Sequence, residues 1–331
     1  MFEALQEIDS VRLNFSDDGR LLLNLTIAFI MFGVALELDP GDFKLLRRNP
    51  RPVITGIVSQ FFLMPLFTFL FALSLREYIT PTVGLGMILV AACPGGNISN
   101  CISALAKGNI ALSVSLTAFT SIGGLILTPF NFALWGNLFM KYYTNPASQE
   151  LVRPISIDLW SVLQTIIMIL GIPLLIGILF RHYFPKTTNK IIVSIKRLSI
   201  GAFAAIVIVI FTKNYEHFIN HIWYVFILVL FHNALALTAG YQFGRMLRLD
   251  RRDKRTISIE TGIQNSGLAL ALLFDPKIFP SDIAIGGMAF IAAWWGVWHI
   301  IAGLTIAGVW SGFSLSPQSP PTDLEEPSST N

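Results

Sequence analysis

Two polar stretches interrupt long apolar segments of the chain. Residues 91–100 read Ala-Ala-Cys-Pro-Gly-Gly-Asn-Ile-Ser-Asn, and residues 260–267 read Glu-Thr-Gly-Ile-Gln-Asn-Ser-Gly. Proline removes a backbone donor, and each glycine in a helix costs about 1 kcal/mol relative to alanine. Irregular backbone at membrane depth persists only where protein or a water-filled cavity satisfies its polar groups. The two stretches therefore predict two broken helices that meet a protein surface or a cavity.

The composition is that of a membrane protein. Of 331 residues, 53% are hydrophobic and 13% are charged, and the mean hydropathy is +0.64. A soluble chain has roughly 25% charged residues. Membrane lipid is thus an expected partner, and nucleic acid is not. The composition also excludes a soluble enzyme and a disordered regulator. Cys93 and Cys101 lack the spacing of a disulfide scaffold or a zinc cluster, and the sequence has no ATP-binding GxxxxGK[ST] motif.

Nine segments are long and apolar enough to cross a bilayer, which takes about 20 residues. They predict an all-α membrane protein with nine transmembrane helices, at residues 21–38, 52–75, 82–106, 110–138, 159–180, 195–212, 222–244, 256–274 and 282–311.

The basic residues predict the orientation. One set of alternate loops holds 16 Lys and Arg residues and the other holds 7. Because cytoplasmic loops carry the excess of positive charge, the richer loops, at 39–51, 181–197 and 245–255, are expected in the cytoplasm. The N-terminus is then outside. The last residues, 312–331, contain four prolines and no Lys or Arg and are expected to form a disordered cytoplasmic tail. Residues 1–20 are expected to form an extracytoplasmic segment with a short surface helix.

The two interrupted segments are five spans apart, so they would cross the membrane in opposite directions. Paired interruptions at matching places in two inverted halves indicate the binding site of a secondary transporter. The pattern therefore predicts an inverted repeat with two broken, crossing helices. The alternative is a pair of kinked helices that bind nothing.

Glu260 is the acidic residue placed inside a predicted span. A charge there is normally paired, turned toward a cavity or neutral. A bound cation is the expected partner, and a salt bridge with Arg255 is the alternative. Neutral oxygen donors accompany Glu260 in the two stretches and at helical spacing in the fourth span, which favours an alkali cation over a transition metal. These donors belong to Gln264, Ser113, Thr117, Ser99 and Asn100.

Other polar residues within spans have a less specific meaning. Gln60 stands alone near the middle of the second span, where it would serve either as a ligand or as an interhelical hydrogen-bonding group. His232, Asn233 and His299 are interpreted as packing groups.

Together, these motifs resemble the bile acid:sodium symporter family. The residues that carry the resemblance run from Cys93 to Asn100, from Ala106 to Thr117 and from Glu260 to Ala269, and the resemblance extends over about residues 21–311. It implies a core domain of spans 2–4 and 7–9 (about 52–138 and 222–311). It also implies a panel domain of spans 1, 5 and 6 (about 21–38, 159–180 and 195–212). The number of spans resembles that of vertebrate members, whereas many bacterial members have ten.

The resemblance also implies two sodium sites that share Glu260. The first would use the side chains of Ser99, Asn100, Ser113, Thr117 and Glu260. The second would use Gln60, Glu260 and Gln264 with the backbone carbonyls of Thr261 and Ile263.

Asn97 and Asn265 stand beside the two breaks, where amide N–H groups and helix N-termini could meet the anionic group of a substrate. Many relatives have Thr at the position of Asn97, so this Asn is expected to bear on the choice of substrate.

The resulting prediction is a sodium-coupled symporter, not an enzyme, that imports a small or amphipathic organic anion by alternating access. Its expected location is the cell's inner (plasma) membrane. Three alternatives remain open at this point. They are a proton-coupled carrier or cation/proton antiporter that uses Glu260, a membrane sensor that binds without transport, and an intramembrane serine protease.

Overall fold

A computed structural model describes residues 2–9, 17–38, 49–96, 98–143, 157–213, 215–280, 283 and 285–312. Within these ranges the chain is all-helical and forms twelve helices, with no strand beyond one isolated bridge. The helices are α1 (Phe2–Asp9), α2 (Asp17–Glu37), α3 (Pro50–Ser74), α4 (Pro81–Ala92), α5 (Ser99–Leu105), α6 (Ile110–Tyr142), α7 (Leu159–Tyr183), α8 (Pro185–Lys213), α9 (Tyr215–Met246), α10 (Arg251–Gly262), α11 (Ser266–Leu273) and α12 (Gly286–Ser311).

Five described helical segments meet the length and hydropathy of a membrane span. They are Pro50–Ser74, Ile110–Tyr142, Leu159–Tyr183, Ile222–Met246 and Gly286–Ser311. The third and eighth predicted spans are each divided into two short helices, and this is why neither reaches the length of a span. The count of nine crossings and the inverted repeat stay predictions.

The interior is built around α4 and α11, both of which are buried along their whole length. Each is apolar on all sides, as expected for a helix enclosed by other helices. The helices α3, α6 and α12 pack around α4, and α12 also packs against α11. The helix α2 packs mainly against α7 and α8, on a different side of the molecule, and reaches the interior through α11.

The amino-terminal helix is part of the core, so the expected surface helix is a wrong interpretation. Leu5 and Ile8 of α1 are fully buried and belong to the largest hydrophobic cluster. The helix packs against α4, α9 and α12. Asp9, its last residue, accepts hydrogen bonds from the hydroxyls of Thr80 and Thr82. A short helix with two apolar side chains is stabilised here by tertiary packing, which hydropathy does not report.

Two helix boundaries differ from the predictions because their ends are polar. The helix α8 begins at Pro185, so most of the predicted loop 181–197 is helical. The helix α10 begins at Arg251, five residues before the predicted span, and Asp250 caps it by accepting from the N–H of Asp253. A hydropathy profile detects the apolar part of a helix and misses its charged ends. The tail from residue 313 lies outside the described residues.

Candidate cation-binding site

The two helix breaks cross each other and are joined backbone to backbone. Gly95 and Gln264 form an antiparallel bridge. The N–H of Gly96 donates to the carbonyl of Ile263 at 2.8 Å, and the N–H of Asn265 donates to the carbonyl of Pro94 at 2.8 Å. The interrupted helices therefore satisfy one another's free backbone groups, as irregular backbone away from water requires.

The glycines of the first break permit this close approach. A Cβ atom at Gly95 would lie 3.1 Å from Oε2 of Glu260, and one at Gly96 would lie 3.0 Å from the carbonyl oxygen of Gln264. A side chain at either position would make its neighbour in the second break shift by a few tenths of an ångström. The pair of glycines thus suits the crossing as well as the end of α4.

Glu260 lies in the last turn of α10 and is 2% exposed. Its Oε1 accepts from Ser99 Oγ at 2.7 Å and from Ser113 Oγ, and its Oε2 accepts from Thr117 Oγ1 at 3.4 Å. Asn100 completes this group, because its Oδ1 accepts from Ser113 at 2.8 Å and from Thr117 at 3.1 Å. The structure thus brings together five oxygen-bearing side chains from α5, α6 and α10.

Arg255 does not pair with Glu260. Its guanidinium donates to the carbonyl of Ala106 at 2.8 Å and lies over the ring of Trp310. In the described part of the chain, the hydrogen bonds to the Glu260 carboxylate come from the three hydroxyls. The salt-bridge alternative is therefore wrong, and the charge of Glu260 faces neutral dipoles.

A second group of oxygens surrounds Gln60 and Gln264. Gln60 Nε2 donates to Gln264 Oε1 at 2.7 Å and to the carbonyl of Cys93 at 3.3 Å. Gln264 Nε2 donates to the carbonyl of Thr261 at 2.8 Å. The carbonyl of Ile263 lies in the crossing itself. The side chains and carbonyls expected for the second site thus occupy one neighbourhood, beside the break of α10.

One oxygen of this second group has no hydrogen-bond donor among the described residues. It is Oε1 of Gln60, a residue that is 1% exposed. A buried amide oxygen without a donor costs free energy comparable to a lost hydrogen bond, and a cation would satisfy it. The atoms available as metal ligands in the two groups are carboxylate, amide, hydroxyl and carbonyl oxygens, which suit a hard alkali cation. No cluster of three His, Cys, Asp or Glu residues suited to a transition metal occurs in the described ranges.

Of the two residues expected to meet a substrate, Asn97 lies outside the described residues. Asn265 caps α11, because its Oδ1 accepts from the N–H of Leu268 at 3.0 Å. Its Nδ2 faces the sulfur of Met31, from α2, at 3.9 Å. The Asn265 side chain therefore joins the start of α11 through its oxygen and contacts α2 through its nitrogen.

A π-helical turn in α3 presents Gln60, and sequence reasoning missed it. The turn covers Ser59–Leu63 and precedes Pro65. A proline has no N–H for the carbonyl four residues before it, here that of Phe61. Asn131 of α6 supplies the donor, at 2.9 Å from Nδ2 to that carbonyl. A proline five residues after a lone glutamine was the available signal, since π-helical turns often occur at functional sites.

Asn233 of α9 is a second residue that sequence reasoning assigned only to packing. Its Nδ2 donates to the carbonyl of Gly262, the last residue of α10, at 2.7 Å. The neighbouring His232 shares a hydrogen bond of 2.7 Å with Thr68, in keeping with a packing role. Nothing in the sequence around Asn233 indicates that it reaches a helix break on another span.

Comparisons with known proteins identify the family. The model of the Sodium Bile acid symporter family matches residues 24–221. The uncharacterized sodium-dependent transporter YocS of Bacillus subtilis (strain 168) is 31% identical over 293 residues, which cover 87% of this chain and 83% of that protein. A probable sodium/metabolite cotransporter of the chloroplast in Arabidopsis thaliana is 28% identical over 305 residues, which cover 92% of this chain and 68% of that protein.

A third relative, a probable chloroplast sodium/metabolite cotransporter of Oryza sativa subsp. japonica, is 28% identical over 285 residues. The match covers 82% of this chain and 64% of that protein. The intramembrane-protease alternative is excluded, because the family consists of transporters. The matched model and the 31% identity over most of both chains show that this protein belongs to the sodium bile acid symporter family of sodium-dependent membrane transporters.

Proposed function

We propose that the protein is a symporter that uses the sodium gradient to import a small or amphipathic organic anion by alternating access. The observation that carries the proposal is the buried carboxylate of Glu260 at the crossing of two broken helices, surrounded by hydroxyl and amide oxygens and by no basic group in the described residues. The family supplies the sodium dependence.

Two sodium ions would bind, one in each group of oxygens. The first would be held by the side-chain oxygens of Glu260, Ser99, Ser113, Thr117 and Asn100. The three hydroxyl oxygens would face the ion with their lone pairs. The second would be held by Glu260, Gln60 and Gln264 with the carbonyls of Thr261 and Ile263. Glu260 is suited to serve both, because its Oε2 and the Ile263 carbonyl both approach Gly95.

Sodium would couple to the anion through the crossing. A bound cation neutralises Glu260 and ties α5, α6 and α10 together, so that the breaks hold one geometry. The anion would then meet Asn97, the Nδ2 of Asn265 and the positive N-terminal end of α11. Binding of sodium thus prepares the anion site, and each ligand raises the affinity for the other.

Transport would be a movement of the core spans against the panel spans, across nine crossings of the inner (plasma) membrane with the N-terminus outside. The packing of α2 against α7 and α8 supports the proposed panel, and the burial of α4 and α11 supports the proposed core. Only the empty and the fully loaded forms would change their access. Sodium alone would favour the outward form, because a carrier that changed its access with sodium but no anion bound would leak sodium.

The test is the melting temperature of the detergent-purified full chain in NaCl and in KCl at equal ionic strength. A ligand of the native state stabilises it by RT ln(1 + [L]/Kd), about 2.7 kcal/mol for each site at 100 times Kd. We expect a sodium-specific rise in the wild type that Glu260→Gln abolishes. Asp253→Asn is the matched control, since it makes the same change in a buried carboxyl two turns earlier on α10, and it should keep the rise.

The outcome separates the competing functions. A melting temperature that is equal in the two salts and follows pH would replace the proposal with a proton-coupled carrier. Sodium binding without sodium-driven uptake of any organic anion into sealed vesicles would replace it with a sensor.

A further inference from the structure

The helix α9 packs against α10 along one face. Ser258 Oγ donates to the carbonyl of Leu237 at 2.6 Å. A Cβ atom at Gly240 would lie 2.9 Å from the carbonyl oxygen of Ile257 and 2.8 Å from Oγ1 of Thr261. A Cβ atom at Gly262 would overlap the side chain of Leu237. The two helices are therefore closely packed along this face.

Asn233 lies on the same face of α9, four residues before Leu237, and meets the end of α10. The carbonyl of Gly262 would accept from the N–H of Ser266 in a continuous helix. At the break, the Ser266 N–H bonds instead to the carbonyl of Gln264 at 3.0 Å. The break therefore frees the Gly262 carbonyl, and Asn233 Nδ2 is the donor that takes it, at 2.7 Å.

We propose that Asn233 is a positioning residue for the second sodium site. This inference rests on the proposed function. The residues on either side of Gly262 contribute their carbonyls to that site, and Ile263 is extended, with φ −109° and ψ 96°. Successive carbonyls point in different directions where the backbone leaves the helix. Holding the Gly262 carbonyl against α9 therefore restrains the adjoining peptide planes, which carry the carbonyls of Thr261 and Ile263.

The other end of the Asn233 side chain indicates what the amide contributes at this position. Asn233 is 1% exposed, and no group in the described part of the chain donates to its Oδ1. A buried acceptor without a donor is unfavourable, whereas an apolar side chain of the same shape avoids this cost. The site keeps an amide in spite of the cost, and what the amide supplies is the donor to the break.

The experiment is a sodium titration of the melting temperature with the purified full chain, using Asn233→Leu and Asn233→Asp. Leucine fills the same space without a donor, and an ionised aspartate presents only acceptors to the carbonyl. Groups that orient the ligands of a metal typically change its affinity by roughly 10- to 100-fold. We expect the half-saturating sodium concentration of the second ion to rise by that factor. The melting temperature should then climb with log sodium about half as steeply as in the wild type, because one ion binds in that range instead of two.

A structural role predicts a different result. It would lower the melting temperature equally in NaCl and KCl and leave the slope against log sodium unchanged, and this outcome would overturn the inference. Ser258→Ala is the matched control, because it removes a hydrogen bond between the same two helices away from the break. The same loss of sodium affinity in Ser258→Ala would also overturn the inference, since it would assign the effect to general packing. A wild type that does not respond to sodium would instead refute the proposed function.

Discussion

Ser99 and Ser103 lie one turn apart on α5, and both are fully buried. Ser99 Oγ donates to Glu260 at 2.7 Å, whereas Ser103 Oγ has no hydrogen-bond partner within the described ranges. The same substitution at the two positions therefore distinguishes a proposed sodium ligand from a hydroxyl that is only buried.

We expect Ser99→Ala to weaken sodium binding at the first site by about tenfold or more, since about 1.4 kcal/mol of lost ligand interaction corresponds to tenfold. Ser103→Ala removes an unsatisfied hydroxyl and should leave the affinity for sodium unchanged, with equal or higher stability. Sodium titrations of the melting temperature measure both variants. Equal affinities in the two would argue against Ser99 as a ligand.

Single residues of the site differ in how far the sequence predicts them. Glu260 was predictable, because a carboxylate within an apolar segment needs a partner. Gln264, Ser113 and Thr117 followed from helical spacing and from the chemistry of oxygen ligands. The role of Asn233 was not predictable, since its partner is a backbone carbonyl that only the break on another helix sets free.

At the scale of elements, the π-helical turn of α3 depends on a contact between two helices. Pro65 leaves the carbonyl of Phe61 without its helical donor, and Asn131 replaces it. Asn131 Oδ1 accepts in turn from Trp135 Nε1 at 3.2 Å. The turn that carries Gln60 is thus held from α6.

A double-mutant cycle tests this arrangement. Asn131→Leu leaves the Phe61 carbonyl unsatisfied and should cost about 1–3 kcal/mol of stability. In a Pro65→Ala background, the new N–H can bond to that carbonyl, so the same substitution should cost less. The lost contact to Trp135 is common to both backgrounds and cancels. Equal costs, measured from unfolding transitions in KCl, would show that Asn131 does not replace the missing donor.

The boundaries of the elements were predictable only where they coincide with the change from apolar to polar residues. The break after Ala92 followed from Pro94 and two glycines. The start of α8 at Pro185 did not, because its first turns are polar and exposed. The pairing of the two breaks was expected from their matching positions, but the register that joins Gly95 to Gln264 needs the structure.

At the scale of the whole molecule, α1 connects the amino terminus to the starts of α4 and α12. Burial raises the pKa of Asp9 from 3.8 to about 6, although hydrogen bonds from Thr82 and Thr80 and from the backbone of Gly287 oppose this shift. The folded protein then binds the proton more tightly than the unfolded chain. The free energy of unfolding should therefore fall as the pH rises from about 4 to about 6 and change little above that range.

The size of this effect is about 3 kcal/mol or less, because one pKa unit corresponds to 1.36 kcal/mol. Asp9→Asn should remove this decline with pH, and Glu3→Gln, an exposed carboxyl on the same helix, should keep it. Unfolding measured between pH 4 and 7 in a single salt tests the prediction. A decline of the same size in Asp9→Asn would assign it to another group.

The fold class and the membrane location in general terms could be predicted from composition alone, because the chain has too little polar surface to be soluble. The burial of α1 could not, since two apolar side chains carry little signal by themselves. Its place depends on packing against α4, α9 and α12, which lie far from it in the sequence.

The backbone crossing has a consequence for the biosynthesis of the protein. Gly95 and Gln264 are 169 residues apart, and translation adds about 5–20 residues per second. For roughly 10–30 s, the nascent chain contains the first break without the second. During this time the N–H of Gly96 and the carbonyl of Pro94 lack the partners that they have in the folded protein. We expect the insertion machinery, or water beside it, to shield this segment until the second break arrives. Ribosome stalling between the two breaks should therefore yield a nascent chain whose first break is recognised by quality control.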